Sequence, residues 1–345
     1  MRLVFAGSPS AAVPSLSALA ASEHEVVAVV TRDDTPQGRR RVLTATPVAL
    51  EAERLGLPVV KTRRITDEVA EWIAALDADL GVVVAFGALL KEPVLSAPRL
   101  GWVNLHFSLL PRWRGAAPVQ RSLMAGDERT GAVVFQLVPE LDAGDLLGTL
   151  ERALDGTETA GDLLDELAAT GADLLGDVVD RLASGTAEAV AQVGEVTLAP
   201  KLVLGDGALD LTLPATQVVD RWRGTTPEPG AHLPFGDARL KVLELRAVDA
   251  GAGADDAADA ADAAVEGEPL APGRMSLRGR RLLVGTGTAP LELVRVQPPG
   301  KKPMAGADWS RGLPSVDDVL LTQPAATTGD DATTTIPVND QEALA

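Results

Sequence analysis

The sequence predicts an α/β chain of two textures: a doubly wound, mostly parallel sheet, followed by a smaller antiparallel barrel or sandwich. Three observations carry that expectation. From residue 1 to about 145, apolar runs of strand length alternate with stretches of helical spacing, the alternation that builds a parallel sheet with helices on its faces. Beyond Lys201, short strand-like runs are separated by Pro/Gly clusters, with no helical pattern between them. Between these parts, residues 159–184 carry Leu163, Leu164, Leu167, Leu174 and Leu175 at the spacing of one long amphipathic helix.

In chain order, Arg2–Ala6, Val26–Thr31, Pro58–Lys61, Leu80–Phe86 and Trp102–Phe107 read as buried strands. Ala11–Ala21, Pro47–Gly56 and Asp67–Leu76 have the spacing and length of the helices between them. In the second part, Ala208–Leu213, Arg239–Leu245, Arg281–Gly285 and Leu291–Val296 are the strand candidates. The Ala/Asp-rich stretch 249–270 reads as a flexible loop, and the Thr/Ala/Asp-rich stretch 313–345 as a disordered tail. The expected organisation is therefore a first domain over 1–188, a linker over 189–206, a second domain over 207–312, and the tail.

Composition narrows the class. A length of 345 residues with 46% hydrophobic and 23% charged content suits two soluble domains. No stretch approaches the roughly 20 apolar residues of a membrane span, and the opening Met1–Ser8 lacks a basic leader. A cytosolic monomer with no membrane partner is expected. The absence of cysteine excludes disulfides, thiolate metal sites and a cysteine nucleophile. Three widely spaced histidines, His24, His106 and His232, argue against a metal site, and neither a P-loop nor a GxGxxG pattern occurs.

Charge is unevenly shared. The formal net charge is −18, yet 249–270 and 313–345 together hold thirteen acids and no Lys or Arg. Residues 207–248 with 271–312 hold thirteen Lys or Arg against seven Asp or Glu. A basic module inside an acidic chain suggests a polyanionic partner, against the plainer reading of a solvated charged surface.

The chemistry concentrates in Gly101-Trp-Val-Asn-Leu-His-Phe-Ser-Leu-Leu-Pro-Arg-Trp-Arg-Gly115. Asn104 and His106 lie two apart on a strand, so their side chains leave the same face. They stand near its C-terminal end, where open α/β sheets form their ligand crevice. An amide donor beside an imidazole suits acyl transfer, which needs a donor for the developing oxyanion and a group that moves protons. Read alone, a histidine on an apolar strand is more often a satisfied core residue. Pro139–Asp145 forms an acidic turn able to bring Asp142 to His106, where a carboxylate would orient the ring. A plain Asp–Gly turn is the other reading of that segment.

Asn104-Leu-His106, Ser108-Leu-Leu-Pro111, Arg114-Gly115 and, some thirty residues on, Leu141-Asp-Ala-Gly144 together resemble the signature of the folate-dependent formyltransferases. The resemblance implies a catalytic triad of Asn104, His106 and Asp142. It also implies a folate site that includes Ser108, Leu109, Leu110 and Pro111, with Phe86 and Gly87 from Val82–Gly87. Further patches, Leu3–Pro9, Thr31–Arg40 with Thr46–Val48, Ala199–Lys201, Pro227–Ala231 and Pro298–Met304, are similar to the branch of that family that acts on charged initiator tRNA. Phe86 stands where that pattern suggests Tyr, and His232 where it suggests Trp.

What the resemblance implies is a Rossmann-like catalytic domain and an OB-like β-barrel that touches tRNA. 10-Formyltetrahydrofolate would be the co-substrate, methionyl initiator tRNA the acceptor, and no metal would be required. Arg39, Arg40 and Arg41, with Lys301 and Lys302, would then meet tRNA phosphates. Two other readings stay open: a sister transformylase acting on a small amine, such as a purine-pathway ribonucleotide or an amino sugar, and a non-catalytic folate or RNA binder.

Overall fold

The computed structural model describes residues 1–38, 41–248, 270–316 and 318–322. The chain begins with β1 (Arg2–Gly7), α1 (Val13–Ala21) and β2 (Glu25–Thr31), followed by a small hairpin of β3 (Thr35–Gln37) and β4 (Val42–Thr44). Next come α2 (Pro47–Arg54), β5 (Val59–Lys61), α3 (Asp67–Ala75), β6 (Leu80–Val84) and β7 (Trp102–His106). The first domain ends with α4 (Pro118–Met124), β8 (Arg129–Gln136), β9 (Leu146–Ala153) and the long α5 (Ala160–Ser184).

Seven of these strands form one sheet in the order β5-β2-β1-β6-β7-β8-β9. It is parallel from β5 to β7, and β8 and β9 add to its edge antiparallel. This is the expected Rossmann-like, mostly parallel architecture. Both faces of the central strands are buried, so β6 is apolar throughout apart from its glycine. Leu3, Phe5, Val82, Val103 and Leu105 pack under α1, α2 and α5, while Val4, Ala6, Phe86 and Trp102 pack under α3. Thr159 and Asp162 form a reciprocal capping box that starts α5, and left-handed Gly185 ends it. The β3–β4 hairpin, α4, β8 and β9 are not among the expected elements.

The second domain is antiparallel, consistent with an OB-like barrel. It contains α6 (Ala215–Thr225), β10 (His232–Phe235), β11 (Ala238–Ala247), β12 (Met275–Arg278), β13 (Arg281–Val284), β14 (Leu291–Gln297), β15 (Met304–Ala305) and α7 (Gly306–Arg311). The strands run β10-β11-β14-β13-β12, with β15 on β14.

Three expectations change here. Ala208–Leu213 is not a strand: Asp210 accepts from the Thr212 N–H at 2.9 Å and from its hydroxyl at 2.6 Å, closing a local turn ahead of α6. α6 itself fills a region expected to lack helices, with Val218 and Trp222 one turn apart and buried in the barrel core. The disorder expected from 313 onward does not apply to 313–316 and 318–322. Leu321 is fully buried there and donates its N–H to Gly273 O at 3.0 Å. The apolar side chains of Leu313, Val316 and Val319 pack alongside, which the Thr/Asp-rich composition of the stretch concealed. The rest of that tail, and residues 249–269 of the acidic loop, lie outside the described residues.

The domains meet along α4 and α6, close enough that a Cβ on Gly224 would lie 2.6 Å from Gln120 O. Beside this contact Arg223, 4% exposed, donates to the Glu158 carboxylate at 3.1 Å and to its carbonyl at 2.8 Å. Arg152 donates to the same carboxylate at 2.6 Å. Burial pushes Glu158 up, but backbone N–H donation, led by Asp155, and the Arg152 charge outweigh it and hold the carboxyl below its ordinary range. Burial pushes Asp220 above the ordinary range, and its neighbour Arg223 offsets this only in part.

Candidate active site

The site grows from the C-terminal end of β7. Strand alternation sends Asn104 and His106 to one face, and the parallel neighbour β6 and antiparallel neighbour β8 fix their positions. His106 is 6% exposed and stands edge-on to Phe135, 6.3 Å between ring centres. Its Nε2 lies 2.9 Å from Trp113 O. A carbonyl only accepts, so the ring donates from Nε2, and Nδ1 is left to face Asp142.

Asp142 Oδ2 is 3.9 Å from His106 Nδ1 and accepts the Gly115 N–H at 2.7 Å. The three residues singled out in the sequence thus lie at one strand end, with the carboxylate across from the ring. At 3.9 Å the ring and carboxylate are too far apart for a direct hydrogen bond. They bracket a slot that an N–H or O–H donor, from water or an incoming amine, can bridge. Asn104 completes the arrangement: its Oδ1 is buried without a partner, and its amide makes no hydrogen bond among the described residues. An amide held on a strand with its donors uncommitted can receive negative charge without reorganising.

Other expected site residues are placed differently from one another. Ser108 is fully buried and donates its hydroxyl to Arg112 O at 2.8 Å, so it clamps the turn. Leu110 packs on Val133 and Phe135, Pro111 is buried, and Leu109 lines a cleft of about 520 Å³ with Arg112, Trp113 and Thr130. The Phe86 ring lies in the core beneath α3, and the residue meets the loop region through its carbonyl, which accepts from Ser8 at 3.0 Å. Gly87 borders a second cleft of about 480 Å³ together with Arg32, Arg63, Arg64 and Lys91. Arg41 is exposed on the β3–β4 hairpin, and Lys301 and Lys302 are exposed between β14 and β15. Arg39 and Arg40 lie outside the described residues.

Sequence reasoning missed the contacts made by Trp113, Gly115, Gln192 and Thr197. Two act through backbone atoms, which no residue type announces. The other two sit in the segment read as a linker, which runs across the loops of the candidate site. Val190 exchanges both backbone hydrogen bonds with Leu146, at 2.8 and 2.9 Å, and Arg114 N donates to Thr197 O at 2.9 Å. Among the described residues no group of three His, Cys, Asp or Glu is arranged to hold a metal ion, and no helix is long and apolar enough to cross a membrane.

The family model "Formyl transferase" matches residues 1–179, and "Formyl transferase, C-terminal domain" matches residues 201–314. The methionyl-tRNA formyltransferase of Leifsonia xyli subsp. xyli is 56% identical over 312 residues, covering 90% of this chain and 97% of that protein. That of Clavibacter sepedonicus is 54% identical over 317 residues, covering 92% and 99%. Among solved structures, the sugar 3N-formyl transferase WlaRD, crystallised in the presence of dTDP and 5-N-formyl-THF, shares the fold. Its TM-score is 0.61 at 12% identity, over 88% of this chain and 99% of that one. With both halves matched and relatives more than half identical over nearly their whole length, the chain belongs to the formyl transferase family.

Proposed function

We propose that this chain transfers the formyl group of 10-formyltetrahydrofolate to the amino group of methionyl initiator tRNA, giving the formyl-methionyl-tRNA that starts translation. The observation that carries the chemistry is the uncommitted Asn104 amide, two residues along the same strand from His106, whose Nδ1 stands 3.9 Å from Asp142. The names of relatives at 54–56% identity support this acceptor. The reduced folate supplies an activated formyl carbon. The acceptor amine attacks that carbon and sheds a proton as the new C–N bond forms. Its N–H groups suit the slot, because both faces of the slot accept: His106 Nδ1 in the neutral ring and Asp142 Oδ2. His106 takes up the amine's proton, and Asp142 stabilises the resulting imidazolium. Asn104 donates to the oxygen on which negative charge develops. The tetrahydrofolate nitrogen leaves with a proton, so charge is conserved.

Gly87 borders the cleft of about 480 Å³ and Leu109 the cleft of about 520 Å³, and these residues are assigned to the folate together with Phe86, Ser108, Leu110 and Pro111. Arg39, Arg40 and Arg41 are assigned to the acceptor tRNA along with Lys301 and Lys302, as phosphate contacts in the cytosol.

A formylation assay with charged initiator tRNA, set beside amino sugars and amino-ribonucleotides, tests the proposal. Rapid transfer to the charged tRNA alone supports it. Preference for a small amine would place the chain with the sister enzymes, and no transfer to any amine would make it a binder. Replacing Arg39, Arg40 and Arg41 should reduce the salt slope of tRNA use by roughly one unit per lost phosphate contact.

A further inference from the structure

We infer that Gln192 and Thr197, in the segment joining the two domains, are positioning residues for the transfer, holding the two turns that present acceptors to His106. The inference rests on the assignment of His106 and Asp142 to the reaction. Two non-glycine residues at the site have left-handed backbones, Trp113 at φ 64° and Asp142 at φ 46°. Such backbones are uncommon for residues carrying a Cβ and persist where the surroundings hold them. These are the residues that face the imidazole, Trp113 through its carbonyl at 2.9 Å and Asp142 through its carboxylate at 3.9 Å.

Both are tied to the same strap. Trp113 N donates to Thr197 Oγ1 at 2.9 Å, and Ala199 N donates to Arg114 O at 2.8 Å. Across the slot, Gln192 Nε2 donates to Asp142 O and to Gly144 O, each at 2.8 Å. Its Oε1 accepts from Arg114 Nη2 at 2.6 Å. Carbonyls only accept and a guanidinium only donates, so the amide has one orientation and every hydrogen bond it makes joins the two turns. Gly144 leaves little room for an alternative path, since a Cβ there would lie 1.7 Å from Gln136 O. Gln192 touches neither reacting group. It acts through the placement of Asp142, and displacement of a catalytic group by about an ångström costs on the order of 100-fold in rate.

The test is a double-mutant cycle on formyl transfer to charged initiator tRNA. Gln192→Glu keeps the shape, loses both donors and sets a carboxylate against two carbonyls. It should lower kcat by about 30- to 100-fold while KM for each substrate moves less than about three-fold. In an Asp142→Asn background the same change should add less than about three-fold, because its effect passes through Asp142. Thr197→Val should lower kcat by about ten-fold, and Val193→Ser, at a position 87% exposed on the same strap, should leave it unchanged. Gln192→Ala replaces Gln192→Glu if the latter does not fold. A kcat within two-fold of wild type, an effect on KM alone, or the full loss repeated in the Asp142→Asn background would each overturn the inference. A fully active Asp142→Asn enzyme would overturn the site assignment itself, and is read before Gln192 enters the cycle.

Discussion

Each domain buries one histidine on a strand and bonds it to a backbone carbonyl, yet the two rings are surrounded differently. His232, 8% exposed at the start of β10, bonds Gly230 O through Nδ1 at 3.1 Å, and that is its one ring hydrogen bond among the described residues. His106, 6% exposed at the end of β7, bonds Trp113 O through Nε2 and turns its other nitrogen to a carboxylate 3.9 Å away. Burial and a carbonyl partner are therefore common to both. A second acceptor held at a distance that leaves room for a donor belongs to His106 alone. That difference separates a packed ring from one that can exchange a proton with a substrate.

His106→Ala should lower steady-state formylation by about two to three decades, whereas His232→Ala should change it by no more than a few-fold. Equal losses in the two folded variants would show that burial of a histidine, rather than its partners, governs turnover.

The next effect concerns how the two regions are joined. Arg223→Met removes one partner of a buried pair, leaving Glu158 with Arg152. Urea denaturation should show a loss of about 3 kcal/mol. An unchanged midpoint would mean the pair is not what ties the domains.

Truncation gives a similar or smaller change and sharpens the domain map. Ending the chain after Gly312 removes Leu321 from the barrel core and should cost about 2–4 kcal/mol. Ending it after Thr322 should alter stability by less than about 0.5 kcal/mol. Thermal melts of both chains check this, and equal stability would contradict the burial of Leu321.

The smallest effect is on pH. Glu158 titrates below its ordinary range in the folded chain, so its contribution is present above the ordinary carboxylate pKa and lost as pH falls through the lowered value. Asp220 titrates above its ordinary range, so its ionised form weakens the fold at neutral pH, and mild acid relieves that cost before Glu158 is protonated. Asp220→Asn should flatten the gain seen on descending toward mild acid, and Glu158→Gln the loss below it. Melting temperatures followed from neutral to acid pH would show whether the two slopes belong to these groups.

The parallel strands and their helices were legible because each strand buries both faces and so reads as an unbroken apolar run, as in Leu80–Val84. β9 was not, since one of its faces is only half-buried, the other is exposed apart from Leu147, and Thr149, Glu151 and Arg152 interrupt the apolar signal. That Asn104 and His106 share a face was legible from strand periodicity; their selection with Asp142 as site residues came from the resemblance to the folate-dependent formyltransferases. The carbonyl of Trp113, the N–H of Gly115 and the amide of Gln192 were not legible. Backbone groups carry no residue signature, and a contact spanning 50 residues, as from Gln192 to Asp142, leaves no local pattern. Ala208–Leu213 misled because alternating Leu and polar residues suit a strand as well as the turn that Asp210 closes.

The proposed role of the Asn104 amide, to carry the developing charge of formyl transfer, meets its sharpest test in Asn104→Asp. This variant keeps the shape and exchanges the donor for an acceptor. Single-turnover formylation of charged initiator tRNA, with enzyme and 10-formyltetrahydrofolate both saturating, isolates the chemical step from binding and release. The rate should fall about two to three decades below wild type, with charged tRNA and folate still bound at near wild-type affinity. A near wild-type single-turnover rate in the folded variant would contradict that role.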